Sequence, residues 1–191
     1  MKRVAVLWAF GAVACGGGGD GADTPDAPGA AIEVAPEVSA TPIGKVTAVS
    51  TRDSHTCAID EAGALWCRGS GFRSQLGDGG ANDQPRPGPA ALPAGDIRSA
   101  GAGGSHTCAA REGALLCWGP DFHGQAGDES MIDRFAPHAV GGITGTVAAV
   151  AAGLDHTCAI ADSRLWCFGR NDKGQLGAGP GPATAIPKLI P

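Results

Sequence analysis

Residues 153–177, reading GLDHTCAIADSRLWCFGRNDKGQLG, recur in altered form twice more in this chain. The second copy runs from Gly103 through HTCAA and ALLCWG to Gly127. The first runs from Thr51 through HTCAID and ALWCRG to Gly77. Measured on His55, His106 and His156, the steps are 51 and 50 residues. Self-similarity at that period constrains the fold more than any composition does. Each copy is one supersecondary unit that buries its faces on its neighbours.

Each copy reads as a β-hairpin whose register follows from its loop. In the third, Ala161 and Arg164 flank a two-residue loop, Asp162-Ser163, so Cys158 faces Cys167. In the second the loop is Glu112-Gly113 and Cys108 faces Cys117. Two-residue loops favour primed turns, which Gly113 suits. The first copy is one residue longer. A three-residue loop, Glu61-Ala62-Gly63, with positive φ at Gly63, restores the register and sets Cys57 against Cys67.

Counting outward from the loops, the cysteines fall on non-hydrogen-bonded antiparallel pairs, where Cα atoms sit about 4.5 Å apart. That lies at the short end of the range a disulfide accepts. Disulfides 57–67, 108–117 and 158–167 are therefore expected. Zinc is the rival, because each His lies two residues before a Cys on the same strand face. A fourth ligand would be needed in every unit, and no ligand-type residue recurs to supply it. No metal or other cofactor is assigned.

At the N-terminus, Lys2 and Arg3 precede an apolar run, Val4 to Ala14, too short to span a bilayer as a helix. It ends in Ala12-Val13-Ala14 before Cys15. This resembles a bacterial lipoprotein signal, cut before a cysteine that carries lipid, although Ala12 stands where Leu is usual. Ala12-Val13-Ala14 also fits an ordinary signal-peptidase site. Cysteine arithmetic agrees with the first reading, since seven cysteines make three pairs and leave Cys15. The expected organisation is a signal peptide over 1–14 and a lipid-bearing Cys15 opening a disordered tether over 15–42. Three repeats then fill 43–191, at about 46–92, 93–142 and 143–191. The tether opens on four glycines and carries five acids and no base, too little apolar surface to offset ordering. The chain is thus expected outside the cytoplasm, as an outer-membrane or cell-surface lipoprotein or one on the periplasmic face.

The repeat domain holds 12 Lys and Arg against 14 Asp and Glu, once the residues before Ile43 are set aside. That balance argues against nucleic acid, which needs a strong basic patch. Short apolar runs alternate with Gly and Pro clusters and show no helical period, which indicates an all-β fold. Four strands are expected per unit. In the second they are Ile97–Ala100, Thr107–Ala110, Ala114–Trp118 and His138–Val140. In the third they are Val147–Ala151, Thr157–Ala161, Arg164–Phe168 and Ile186–Ile190. Four strands at a period near fifty describe a β-propeller blade.

The HTCA runs, the LWC or LLC runs and GRNDKGQLG at Gly169–Gly177 resemble the repeat of the regulator of chromosome condensation family. The resemblance covers Val46 to about Pro191. It implies the blades of what is, in that family, a seven-bladed β-propeller. Here three units stand, and the expectation is a partial propeller of about three disulfide-stapled blades. Ser74 replaces the first Gly of GQLG in copy one, and Ala126 replaces its Leu in copy two. The paired cysteines resemble those of exported bacterial relatives.

Few residues invite a catalytic reading. His55, His106 and His156 stand at one place in every copy, as do Gln75, Gln125 and Gln175. Recurrence of that kind marks scaffold, and each His is expected to hydrogen-bond backbone within its own blade. Ser54 and Ser105 precede histidines, but neighbours along a strand point to opposite faces. The stretch Ser74–Gly79 lacks the Gly-Lys-Ser/Thr of a phosphate loop. Trp66, Trp118 and Trp166 are expected between blades. Asp60 to Trp66 faintly resembles the Asp-box turn (BNR-like repeat) of sialidases, without the positioned acids that glycoside hydrolysis needs.

The function expected is a non-enzymatic, exported, lipid-anchored module that binds a protein or a glycan through the loops Phe72–Pro89 and Phe122–Pro137. The family resemblance implies guanine-nucleotide exchange as the alternative, and the Asp-box likeness a sialidase-like protein. Both side faces of a three-blade arc are expected to be apolar and to drive self-association or pairing with another repeat-bearing chain.

Overall fold

The computed structural model describes residues 43–92 and 95–191. The signal peptide, Cys15 and the tether lie outside the described residues. Twelve strands follow in order: β1 Val46–Arg52, β2 His55–Asp60, β3 Leu65–Gly69, β4 Gln84–Pro89, β5 Ser99–Ala102, β6 Thr107–Arg111, β7 Ala114–Gly119, β8 Arg134–Ala139, β9 Val147–Ala152, β10 His156–Ala161, β11 Arg164–Gly169 and β12 Thr184–Ile190. They form three four-stranded antiparallel sheets, each in chain order. These are three propeller blades. The first strands, β1, β5 and β9, pack against one another from blade to blade and so line the inner edge of the arc.

The hairpin registers are as the loops dictate. Cys57 pairs with Cys67, Cys108 with Cys117 and Cys158 with Cys167. All three pairs are disulfide-bonded with Cα atoms 4.1 Å apart, a little closer than the 4.5 Å expected. Asp162 and Ser163 both take positive φ, as a primed turn requires. Gly63 and Gly113 supply the left-handed residue in the other two loops. These six sulfurs are therefore committed to covalent bonds.

Alternation along the strands gives each blade two different faces. The forward face of blade one carries Cys57, Ile59, Leu65 and Cys67, and it packs on Ala109, Leu116 and Trp118 of blade two. Blade two repeats the arrangement, setting Cys108, Ala110, Leu115 and Cys117 against Ala159, Trp166 and Phe168 of blade three. Burial of this apolar surface is the main force joining the blades. The Trp118 ring lies so close over Gly77, and the Phe168 ring over Gly127, that a Cβ there would meet ring atoms within 2.6 Å.

Three expectations need correction. The fifth strand begins at Ser99, not Ile97, because the Ile97 side chain turns into the core and its N–H bonds Gly63 O instead of a ladder partner. The fourth strands of blades two and three begin earlier than read, at Arg134 and Thr184, and that of blade one begins at Gln84, so the long loops end at Asp83 and Asp133. Pro85, Pro87 and Pro137 hid these strands, and they are tolerated because β4 and β8 are outer edges with solvent on one side. The three tryptophans are also not equivalent. Trp118 matches Phe168 and Arg68, whereas Trp66 and Trp166 match Leu116. Trp118 and Trp166 stand between blades; Trp66 lies on the rear of blade one, which no blade covers.

Candidate functional site

The β1–β2 turns and the β3–β4 loops, with their counterparts in the other blades, gather at one end of the arc. The two- and three-residue hairpin loops lie at the other. The loop-bearing end holds nearly every residue singled out by recurrence. Its foundation is a hydrogen-bonded clasp between blades.

Thr107 Oγ1 donates to the Gln75 carbonyl at 2.7 Å, and Thr157 Oγ1 donates to the Gln125 carbonyl at 2.9 Å. A hydroxyl has one proton, so the ring nitrogen facing it must be the donor. His55 Nε2–H therefore donates to Thr107 Oγ1 at 2.8 Å, and His106 Nε2–H to Thr157 Oγ1 at 2.9 Å. The chain of bonds runs His to Thr to Gln, and it crosses from one blade to the next. The expectation of a backbone partner within the blade is thus overturned: the partner is a threonine hydroxyl one blade further on. Trp118 Nε1 adds a second bond to the Gln75 carbonyl at 2.9 Å.

The environment fixes the charge state. Burial holds His106 down to about 3, with help from the neighbouring His55, His156 and Arg52. Burial lowers His55 and His156 as well. Neutral rings donating from Nε2 are what the clasp requires. Thr107 and Thr157 went unremarked in the sequence, although the triplet His-Thr-Cys, present in all three copies, was the available signal.

The same glutamines root the loops. Gln75, Gln125 and Gln175 each accept, through Oε1, the backbone N–H two residues earlier, all at 2.9 Å. Asp83 and Asp133 brace the far ends by accepting from Gly71 N and Asp121 N, both at 2.9 Å. Ser74 keeps the left-handed conformation of the glycines it replaces (φ 61°), and its buried Oγ has no partner. Blade three has Asn171 where blade two has Asp121. Asn171 accepts from Leu176 N and donates to Gly179 O. Asp121 accepts from Ala126 N at 2.7 Å, but its buried Oδ2 finds no partner. Burial, with Asp128 and Asp133 nearby, pushes its carboxyl up to about 7.

On this rooted platform, large apolar side chains face solvent. Phe72 and Phe122 stand at matching loop positions, 62% and 65% exposed, and Met131 and Ile132 extend the patch on blade two. Arg73 lies over the Phe72 ring, 5.3 Å from its centroid. Beside blade three, a groove of roughly 250 Å³ is lined by Arg52, Leu154, His156, Arg170 and Lys173 among others. Arg170 is held by Asp172 and Asp155, so much of the positive charge there is already matched. At the opposite end, Asp60 accepts from Ala62 N, Ala64 N and Trp66 Nε1, which closes the first hairpin and holds its carboxyl below the usual range. The Asp-box-like residue is therefore a turn brace; the other copies carry Arg111 and Ala161 there.

Comparison with known proteins agrees with this construction. The profile of the regulator of chromosome condensation (RCC1) repeat matches residues 112–160 and 147–175. The longer match starts in one blade and ends in the next, so the sequence repeat spans a blade junction. Among solved structures, human WBSCR16 superposes with a TM-score of 0.68 at 21% identity, covering 78% of this chain and 41% of that one. Yeast RCC1 (Prp20) bound to Kap60 gives 0.68 at 21%, covering 76% and 37%. Prp20p of Saccharomyces cerevisiae gives 0.67 at 22%, covering 76% and 38%. The chain thus spans about two fifths of the length of these structures. Comparison with curated proteins found no match. Residues 112–175 thus match the RCC1 repeat, and the three blades share the propeller fold of the RCC1 structures.

Proposed function

We propose that this chain is a non-enzymatic protein-binding module, exported and lipid-anchored through Cys15, that recognises its partner with the loops at the clasp end. The observation that carries this reading is the exposed apolar set Phe72, Phe122, Met131 and Ile132, mounted on loops whose roots are buried. Aromatic and Met side chains are enriched where proteins meet proteins, and a braced loop loses little freedom on binding. A glycan is the weaker occupant, because among the described residues no exposed tryptophan lies on this face to stack on a sugar ring. The relatives give the same class of ligand: yeast RCC1 is bound to Kap60, and Prp20p binds Gsp1p and histones.

Export is supported by the signal-like N-terminus and by three disulfides in a small domain, which persist where the surroundings oxidise. A small GTPase of the cytosol would not be met there, which counts against nucleotide exchange. Proximity labelling in cells, with the paired variant Phe122→Ser and Ile132→Ser as the control, tests the binding face. A set of neighbours lost in the variant supports the reading, and an unchanged set rejects it. Fractionation tests the anchor: Cys15→Ser should move the protein from membranes to the soluble exported fraction, and identical fractionation rejects lipidation.

A further inference from the structure

Each internal junction joins a forward face to a rear face by the same apolar contact and the same clasp. Among the described residues, one face of each kind has no blade against it. The forward face of blade three keeps the residues of an internal one. Ile160 and Leu165 are 44% and 42% exposed, whereas their equivalents Ala110 and Leu115 are 0% and 3%. The clasp is half-formed there too: among the described residues no threonine bonds the His156 ring and the Gln175 carbonyl as Thr107 and Thr157 do at the internal junctions. The rear of blade one offers the complementary half: Thr56, with Ala58 and Trp66, stands where Thr107 and Thr157 stand in the later blades.

One mismatch decides which rear face fits. The second and third blades each press an aromatic ring over the preceding blade's Gly77 or Gly127. Above Gly177, however, Ile190 Cγ2 of the same blade already fills that place. An incoming blade must therefore lack the aromatic. Blade one alone does, with exposed Arg68 at the position of Trp118 and Phe168. Its guanidinium can donate to the Gln175 carbonyl as Trp118 Nε1 donates to the Gln75 carbonyl.

We infer that the forward face of blade three receives the rear face of blade one from a second copy of this chain, head to tail. The contact reproduces the internal junctions with Thr56 of the second copy completing the clasp to His156 and Gln175. Two such contacts would join six blades, within the range that propellers close.

The full-length chain carrying Cys15→Ser, purified oxidised so that no spare thiol links copies, is examined by sedimentation velocity. The parent should sediment as two or more chains, with the smaller species gaining on dilution. Leu165→Glu spoils only the forward face, and Ala58→Glu only the rear. Each alone should sediment as one chain. Mixed, they should form a one-to-one pair, because each retains the face the other has lost. Thr56→Val should weaken pairing about tenfold, the worth of one buried hydrogen bond. Near-ultraviolet dichroism confirms folding, and Ile160→Glu replaces Leu165→Glu if that variant fails to fold. A parent that stays a single chain overturns the proposal, as does either variant pairing by itself or a mixture that does not pair. None of these outcomes bears on recognition by the Phe122 loop.

Discussion

The clasp and the loops above it share the same glutamines, yet they are built on opposite plans. Below, His55 and His106, Thr107 and Thr157, and Gln75 and Gln125 repeat with their bonding intact from junction to junction. Above, Phe72 and Phe122 give way to Asp172, and the Asp83 and Asp133 braces of the first two loops give way to Asn171 in the third. The clasp is costly to change, because losing one partner strands a buried donor or acceptor on the other. The exposed level is free to vary, and variation there alters what is recognised and leaves the fold alone.

Reduction should give the largest effect. Each disulfide closes a loop of nine or ten residues, worth roughly 2–3 kcal/mol on the chain-entropy model. Three together rival the whole stability of a domain, roughly 5–15 kcal/mol. A urea melt in dithiothreitol should find the domain unfolded or nearly so. An unchanged midpoint would show that the clasp alone holds the blades.

Next in size is the clasp. Thr157→Val strands the His106 Nε2–H and removes a donor from the Gln125 carbonyl, costing about 2–4 kcal/mol in a denaturant melt. A loss below about 0.5 kcal/mol, ordinary for a surface site, would erase the distinction between the two levels. Acid attacks the same group. Unfolded, an imidazole takes its proton near 6.5; folded, His106 does so only near 3. The stability this ring contributes is full above pH 6.5 and drains away as the pH falls toward 3, on the order of 4 kcal/mol in all. His106→Gln should flatten that acid limb.

Asp121 sharpens the comparison from the other direction, being a buried residue that departs from its sibling. Its carboxyl gives up a proton near 7 when folded and near 3.8 when unfolded. Its contribution is therefore fully present below pH 3.8 and is lost as the pH rises through 7. Asp121→Asn, which copies blade three, should raise stability at pH 8 by ~1–2 kcal/mol, with the shift discounted for solvent screening. A thermal melt that shows no gain at pH 8 would mean Oδ2 is satisfied in solution. Ser74→Gly should add about 1 kcal/mol by relieving a left-handed serine. The smallest effect belongs to the loops: Phe122→Ser with Ile132→Ser should shift stability by under about 0.5 kcal/mol while removing partner recognition. A large drop in melting temperature would make those side chains part of the scaffold.

Most of the blade was legible because its signals are local. A two-residue loop fixes which residues face each other across β10 and β11, and so sets Cys158 against Cys167. The start of β8 was hidden because Pro137 argues against a ladder, and only an edge position makes it harmless. The clasp was half legible. His and Gln stood out by recurrence, but Thr107 belongs to a bond spanning 52 residues of sequence, and no local pattern states which blade it serves.

The sequence by itself determined the period, through recurrence, and also the hairpin registers and the three disulfides, since these depend on contacts within about ten residues. The tertiary structure alone decided the rest. It set the forward face of one blade against the rear face of the next, made one His–Thr–Gln chain out of three residues on two blades, and buried Asp121 where Asn171 would have been content. It also distinguished two end faces that had been read alike as apolar. Arg68 and Ile190 give those ends different shapes and different polarity. That difference exists only once strands fifty residues apart are stacked, because only stacking says which side of a sheet has a neighbour.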